Sequence, residues 1–197
     1  MHRPLPAARP SRRADPRGSS ALFQVYTTWF QVWAELLRLR DSGLIRALGV
    51  SNFGKGQLEG LRRSGLELPE VNQVEIHCSP AFKSLKTLGN TGWRPLPELC
   101  AYHWRHGIVT MCMAPLARGE MFEKTAVAEV AKELRQSEAA VAVRWCLQMG
   151  YVAIPRCQGG ETSRVGARSV QPSRIVENQA MGFRLTDAHM ERSHTSQ

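Results

Sequence analysis

Polar side chains follow the apolar, strand-like runs of this sequence, where a ligand-binding group would be expected. Ser51 and Asn52 come directly after one such run. In the run "VNQVEIHC", Gln73, Glu75 and His77 fall on one side, because side chains alternate along a strand. Hydroxyl, amide, carboxylate and imidazole groups can all hydrogen-bond a ligand. Each group could instead belong to an ordinary strand-to-loop turn, but their repetition at successive strand ends favours a binding site.

Two other groups of residues are weaker candidates. Cys100, His103 and His106 have a metal-like spacing. On a helix, however, Cys100 and His106 lie about 120° apart, and no fourth ligand is close in sequence. We therefore interpret them as ordinary helix residues and predict no metal. The glycine-rich "QGGETSRVGARS" lacks the Gly-Lys-Ser/Thr ending of a phosphate-binding loop.

The elements that must position these residues alternate between helices and strands. The strands are short, continuous apolar runs, which is typical of a parallel sheet covered by helices. In such sheets, ligands bind beyond the carboxyl ends of the strands. The predicted strands are 45–50, 71–76, 108–112 and 151–154. The predicted helices are 29–40, 55–63, 96–106, 126–135, 138–149, 172–179 and a last one through 191, capped by Thr186.

Composition excludes several classes of protein. The net charge is +9, but residues 1–20, 83–94 and 157–168 carry most of the excess, so we predict no nucleic-acid partner. No apolar run approaches the roughly 20 residues of a membrane helix, and the N-terminus lacks a secretory h-region. The five scattered cysteines form no CxxC motif, which favours a reducing, cytoplasmic location.

The N-terminal segment differs from the rest of the chain. Residues 1–22 are rich in Pro, Arg and Ala, lack apolar periodicity and are predicted to be disordered. Their Arg-rich, acid-poor composition also resembles an organelle transit peptide, although the prolines oppose an amphipathic targeting helix. Residues 23–197 are predicted to form one folded domain.

Five segments in order resemble the aldo-keto reductases. They are "GLIRALGVSNFGKGQLEGL", "VNQVEIHCSP", "HGIVTMCMAPLARGE", "AVRWCLQMGYVAIPR" and "SVQPSRIVENQAMGFRLT". The resemblance covers residues 28–192. It implies an α/β fold, part of a (β/α)8 TIM barrel with about strands five to eight and their helices. It also implies NADPH as cofactor and an aldehyde or ketone as substrate.

The resemblance implies a role for individual residues. Ser51, Asn52 and Gln73 would hydrogen-bond the nicotinamide carboxamide, since an amide needs both donors and acceptors. Leu116 and Gly119 would line the pyrophosphate. The 2′-phosphate and adenine would contact a third group of residues: Arg156 or Arg168, Ser169, Arg174, Glu177 and Asn178.

The sequence departs from the family pattern at several places. Met113 stands where an aromatic side chain usually stacks under the nicotinamide, and Ala114 stands where Ser is usual. Residues 83–94 and 157–168 resemble insertions, either surface loops or retained intron sequence.

The largest departure concerns catalysis. The family's catalytic Asp, Tyr, Lys and His come from the first four strands, whereas the resemblance begins just before the fifth. We therefore expect no catalytic residue here. The alternatives are an oxidoreductase known through an incomplete chain, or an inactive half-barrel with residual nucleotide binding or an interaction role. Open sheet edges would then favour self-association.

Overall fold

The structure is a computed structural model, and it describes residues 19–78, 96–117, 126–155, 172–179 and 182–194. The insert-like segments 83–94 and 157–168, and residues 1–18 of the predicted tail, lie outside the described residues. The chain divides into two compact units, Met1–Arg46 and Ala47–Gln197.

The described residues of the first unit form one helix, α1 (Ser19–Asp41). Gly43 follows the end of this helix and stops it, as predicted. Its φ of 81° is a conformation that glycine adopts without strain. The amides of Ser42, Gly43 and Leu44 donate to carbonyls of the last helical turns. The helix begins ten residues before the periodicity at Trp29 and includes residues 19–22, which were predicted to be disordered.

The described part of the second unit is built on a four-stranded parallel sheet in the order β1-β2-β3-β4. The strands are β1 (Gly49–Ser51), β2 (Val71–Glu75), β3 (Val109–Met113) and β4 (Val152–Ile154). This confirms the predicted α/β class and parallel sheet. The last three strands lie within one residue of their predicted bounds.

Strand β1 is shorter than the predicted strand 45–50. Gly49 pairs with Val71, and a Cβ on Gly49 would lie 3.1 Å from the Val71 carbonyl oxygen, so glycine permits this close approach. Before Gly49 the regular pairing ends: the Leu48 carbonyl accepts from the Glu70 amide at 3.0 Å, but the Leu48 amide leaves the ladder. The Leu48 amide donates instead to Glu70 Oε2 at 2.7 Å.

Six helices are described in the second unit, and their starts agree with the prediction. They are α2 (Lys55–Arg63), α3 (Leu96–Arg105), α4 (Ala126–Leu134), α5 (Glu138–Gln148), α6 (Pro172–Glu177) and α7 (Asp187–His194). Side-chain caps explain two starts. Ser137 Oγ accepts from the Ala140 amide at 3.1 Å, and Thr186 Oγ1 accepts from the His189 amide at 3.2 Å.

Helices α2 to α5 pack on one face of the sheet. The core contains Val74 and Cys112 from the strands, with Val50 and Ala153 partly buried. Since strand side chains alternate, their neighbours lie on the other face, where Val152 is 43% exposed. The sheet therefore has one covered face and one more open face. None of the helices that the structure describes is long and apolar enough to cross a membrane.

Candidate functional site

The carboxyl ends of β1, β2 and β3 bring the predicted polar residues together. Ser51 pairs with Gln73, and Gln73 pairs with Met111, so these three residues form one row across the sheet. Met113 lies two residues further along β3, opposite Glu75. All of these residues lie on the open face, because the intervening residues belong to the covered face.

The turn after β1 is fixed to β2. The carbonyl oxygen of Gln73 accepts two hydrogen bonds, from the Asn52 amide at 2.8 Å and from Ser51 Oγ at 3.2 Å. Asn52 has φ of 60°, in the left-handed region that Asn adopts more readily than most residues. The side chains of Ser51 and Asn52 are exposed at the end of the strand, which is the position that the sequence predicted.

Gln73 has a contact that the sequence did not indicate. Its Nε2 donates to Met111 Sδ at 3.4 Å, and the side chain is half-buried. A thioether is a weak acceptor. A stronger acceptor, such as a ligand amide oxygen, would therefore compete with Met111 for this donor.

A buried polar chain lies on the other side of the same turn. Asn72 Oδ1 accepts from the Phe53 amide at 3.3 Å, and Asn72 Nδ2 donates to the Phe53 carbonyl at 2.7 Å. His103 Nε2 lies 3.0 Å from Asn72 Nδ2, and His103 Nδ1 lies 2.9 Å from Thr110 Oγ1. The sequence alone predicted an ordinary helix residue at His103. Asn72 and Thr110 are polar residues at core positions of β2 and β3, and they could have indicated a buried polar partner such as His103.

The turn after β3 is apolar by comparison. Ala114 and Ala117 both have positive φ, 53° and 44°, and the Ala117 amide donates to the Ala114 carbonyl at 2.8 Å. Met113 and Leu116 are half-buried on either side of this turn. The structure thus places Met113 at the strand end, with Leu116 three residues beyond it.

The predicted adenosine-side residues are only partly described. Arg174 lies on α6 with its side chain exposed, Glu177 is the last residue of that helix, and the Asn178 amide donates to the Arg174 carbonyl at 3.0 Å. The remaining predicted site residues lie outside the described residues: Gly119, Arg156, Arg168 and Ser169. Their predicted roles stay predictions.

Two tyrosines have described side chains, and neither lies at the carboxyl ends of the strands. Tyr102 belongs to α3, and its hydroxyl donates to Glu59 Oε1 at 2.8 Å. Burial, together with the Glu59 carboxylate, raises the pKa of Tyr102 to about 12. Tyr151 precedes β4 at the opposite end of the sheet, and burial raises its pKa as well. Both groups hold their protons tightly, which suits structural hydrogen bonding.

The four described thiols, three of them buried and that of Cys100 half-buried, form a second group away from the open face. Cys78, Cys100, Cys112 and Cys146 are all free. A hydrogen bond with Cys146 and burial raise the pKa of Cys112, and burial raises the pKa of Cys78. Such thiols are poor nucleophiles. Within the ranges that the structure describes, no group of three His, Cys, Asp or Glu residues could hold a metal ion.

Known proteins show which family this arrangement belongs to. A model of the aldo/keto reductase family matches residues 2–195, further toward the N-terminus than the resemblance over 28–192. An aldo-keto reductase of Mycolicibacterium vanbaalenii is 32% identical over 164 residues, 83% of this chain and 50% of the relative. The 2,5-diketo-D-gluconic acid reductase B of a Corynebacterium species is 33% identical over 160 residues, 80% of this chain and 48% of the relative.

Solved structures agree with this assignment. An aldo/keto reductase from Brucella melitensis has a TM-score of 0.67 and 26% identity, covering 86% of this chain and 55% of that one. A mutant of Gox0644 in complex with NADPH has a TM-score of 0.66 and 29% identity, covering 84% and 52%. The chain spans about half the length of the curated relatives it matches. It belongs to the aldo/keto reductase family.

Proposed function

We propose that the protein is an NADPH-dependent oxidoreductase that reduces aldehydes or ketones, and that this chain supplies the strand ends that hold the nicotinamide. One observation carries the proposal: the turn bearing Ser51 and Asn52 is pinned to Gln73 at the carboxyl ends of two paired parallel strands. Relatives whose names describe the reduction of carbonyl compounds support the proposal. One of them is a methylglyoxal reductase of Yersinia pestis.

The groups at these strand ends fit a carboxamide. A carboxamide has one acceptor oxygen and one donor NH₂ group, so it needs both kinds of partner. The amides of Asn52 and Gln73 each offer a donor and an acceptor, and the hydroxyl of Ser51 can accept. When bound, reduced NADPH supplies the hydride. The residues of this chain would orient the ring and leave one of its faces toward the substrate.

Met113 would contact the ring from β3. A thioether can touch the edge of a ring, but it provides less stacking surface than an aromatic side chain. Ala114, the next residue, offers no hydroxyl. The nicotinamide would therefore depend more on the hydrogen bonds of Ser51, Asn52 and Gln73 than on stacking.

The finer architecture belongs to the same proposal. The four strands would correspond to about strands five to eight of a (β/α)8 barrel, with the open face directed into its interior. The proton donor to the developing alkoxide would come from outside these four strands, since Tyr102 and Tyr151 occupy other positions. The second candidate, nucleotide binding without turnover, is favoured by that placement of the tyrosines.

The experiment that tests the proposal is a titration with NADPH, monitored by tryptophan fluorescence. We expect saturable quenching by NADPH and weaker quenching by NADH, which lacks the 2′-phosphate. Ser51→Ala should weaken NADPH binding about fivefold, because one hydrogen bond contributes about 1 kcal/mol. The matched control is Ser64→Ala, an exposed serine at the far end of α2, and it should leave the affinity unchanged.

Two results would decide between the candidates. Oxidation of NADPH with a simple aldehyde, proportional to the amount of pure protein, would establish the reductase. Binding without turnover would show that this chain holds the nucleotide, as the second candidate states, and has no proton donor of its own. An absence of saturable NADPH binding would contradict both.

Self-association is a further part of the proposal. In the described part of the chain, β1 and β4 are the edges of the sheet, and unpaired edges invite pairing with another chain. Val152 and Ile154 on β4 are 43% and 41% exposed. Sedimentation velocity should show concentration-dependent association that Ile154→Lys reduces. A monomer at every concentration that unfolds cooperatively would argue against it.

A further inference from the structure

A chain of three buried polar side chains connects helix α3 to the turn after β1. Asn72 and His103 have no exposed surface, and Thr110 is 6% exposed. Burying polar groups costs free energy unless they are hydrogen-bonded, and all three have partners at 2.7–3.3 Å. A helix that only needed to fill the core would carry an apolar side chain at position 103.

The partners fix the orientation of each group. The Phe53 amide can only donate, so it must face Asn72 Oδ1, and Asn72 Nδ2 is left to donate to the Phe53 carbonyl and to His103 Nε2. His103 Nε2 therefore accepts, and its proton is on Nδ1, directed at Thr110 Oγ1. The imidazole must be neutral in this arrangement, and burial, which lowers the pKa of His103 to about 4, keeps it so.

The hydrogen-bonded chain through His103 and Asn72 ends at the turn that carries the candidate site. Asn72 holds both the amide and the carbonyl of Phe53, the residue directly after Ser51 and Asn52. Asn52 has φ of 60°, in the left-handed region, so the chain turns sharply between Ser51 and Phe53. Gln73 holds the start of the turn, and Asn72 holds its end.

We propose that His103 is a positioning residue for the nicotinamide end of the cofactor site, acting through the Asn72 amide on the turn 51–53. This inference rests on the proposed function. His103 itself does not need to touch the cofactor. It holds the rotamer of Asn72, which would otherwise have a second buried N–H without an acceptor, and Asn72 holds the turn.

The experiment compares His103→Leu, which removes the acceptor, with His103→Gln, whose Oε1 can replace it. His106→Leu is the matched control, since it makes the same change three residues later at an exposed position just beyond α3, where His106 contacts Tyr102. Each variant is titrated with NADPH and with adenosine 2′,5′-bisphosphate, which lacks the nicotinamide. Amide hydrogen exchange is measured without cofactor at Phe53 and at Val109, whose amide donates to Glu70.

We expect His103→Leu to weaken NADPH binding about tenfold, since a buried donor is left without a partner. Binding of the bisphosphate should not change. Exchange at Phe53 should become about tenfold faster while exchange at Val109 stays constant. His103→Gln should recover most of both effects, and His106→Leu should behave as the unsubstituted protein does.

The inference is overturned if His103→Leu leaves the Phe53 exchange and the NADPH affinity unchanged. It is also overturned if both ligands and both amides are affected equally, because His103 would then only stabilise the fold. Failure of the unsubstituted protein to bind NADPH would contradict the proposed function, whereas the exchange at Phe53 tests the hydrogen-bond chain independently. If His103→Leu does not fold, Thr110→Val gives the same test with an expected effect of about threefold.

Discussion

The two faces of the parallel sheet are made of alternating residues from the same strands, yet they differ in chemistry. The covered face carries Val74 and Cys112, both almost fully buried under the helices, and the buried chain through Asn72 and His103. The open face carries Ser51, Gln73 and the two methionines of β3. The difference indicates that the covered face stabilises the unit and orients its turns, while the open face presents groups to a ligand.

The pH dependence of stability should give the largest effect, and it comes from the covered face. The pKa of His103 is about 4 in the folded chain, against an ordinary value of 6.5. As pH falls below 6.5, the unfolded chain takes up a proton that the folded chain refuses until about pH 4. The contribution of neutral His103 to the free energy of unfolding is therefore fully present above pH 6.5. It is lost between pH 6.5 and 4, by up to about 3 kcal/mol.

Urea unfolding at a series of pH values would measure this loss. His103→Gln should lack it, and His106→Leu should retain it. The pKa of Glu59 is lowered, mainly by its hydrogen bond to Arg62. Protonation of Glu59 would therefore reduce stability only below pH 4.5, and it would do so equally in every variant. Identical pH curves for the protein and His103→Gln would show that His103 does not carry the effect.

Two valines allow a direct comparison of the faces. Val74 is 1% exposed on the covered face, and Val152 is 43% exposed on the open face. Val74→Ala should lower the free energy of unfolding by about 2 kcal/mol, since it removes buried methyl groups and leaves a cavity. Val152→Ala should cost less than about 0.5 kcal/mol. Equal losses in chemical denaturation would mean that another part of the molecule covers the open face.

The smallest expected effect concerns the open face and the cofactor. Met113→Trp should strengthen NADPH binding by about 1 kcal/mol, because an aromatic face offers a stacking surface for the nicotinamide. Met149→Trp is the control, as Met149 is 44% exposed beyond the end of α5. The fluorescence titration measures both. An unchanged or weaker affinity for Met113→Trp would place the ring away from β3.

The elements that the sequence could predict are those that depend on neighbouring residues. Helices α2 to α5 follow local patterns, namely apolar residues three and four apart, and Ser137 before α5 adds a local cap. Their starts were therefore predictable to the residue. Strand β1 was predicted too early because its start depends on pairing with another strand, and that pairing begins only where Gly49 lies opposite Val71.

The residues of the candidate site also divide into those found from local patterns and those assigned from a resemblance. Ser51 and Asn52 were found from their position after an apolar run, and Gln73 from the alternation of side chains along its strand. The structure places them together because the two parallel strands are paired. Arg174, Glu177 and Asn178 were assigned from a resemblance. Their relation to the strand ends depends on segments outside the described residues.

The sequence by itself determined the alternation of helices and strands, the parallel sheet and the polar residues at the strand ends. These follow from periodicity and from short-range turn chemistry, which a few neighbouring residues specify. Only the tertiary structure decided that Asn72, His103 and Thr110 form one chain. Residues 31 positions apart meet through the packing of α3 on β2 and β3, and no local pattern encodes that contact.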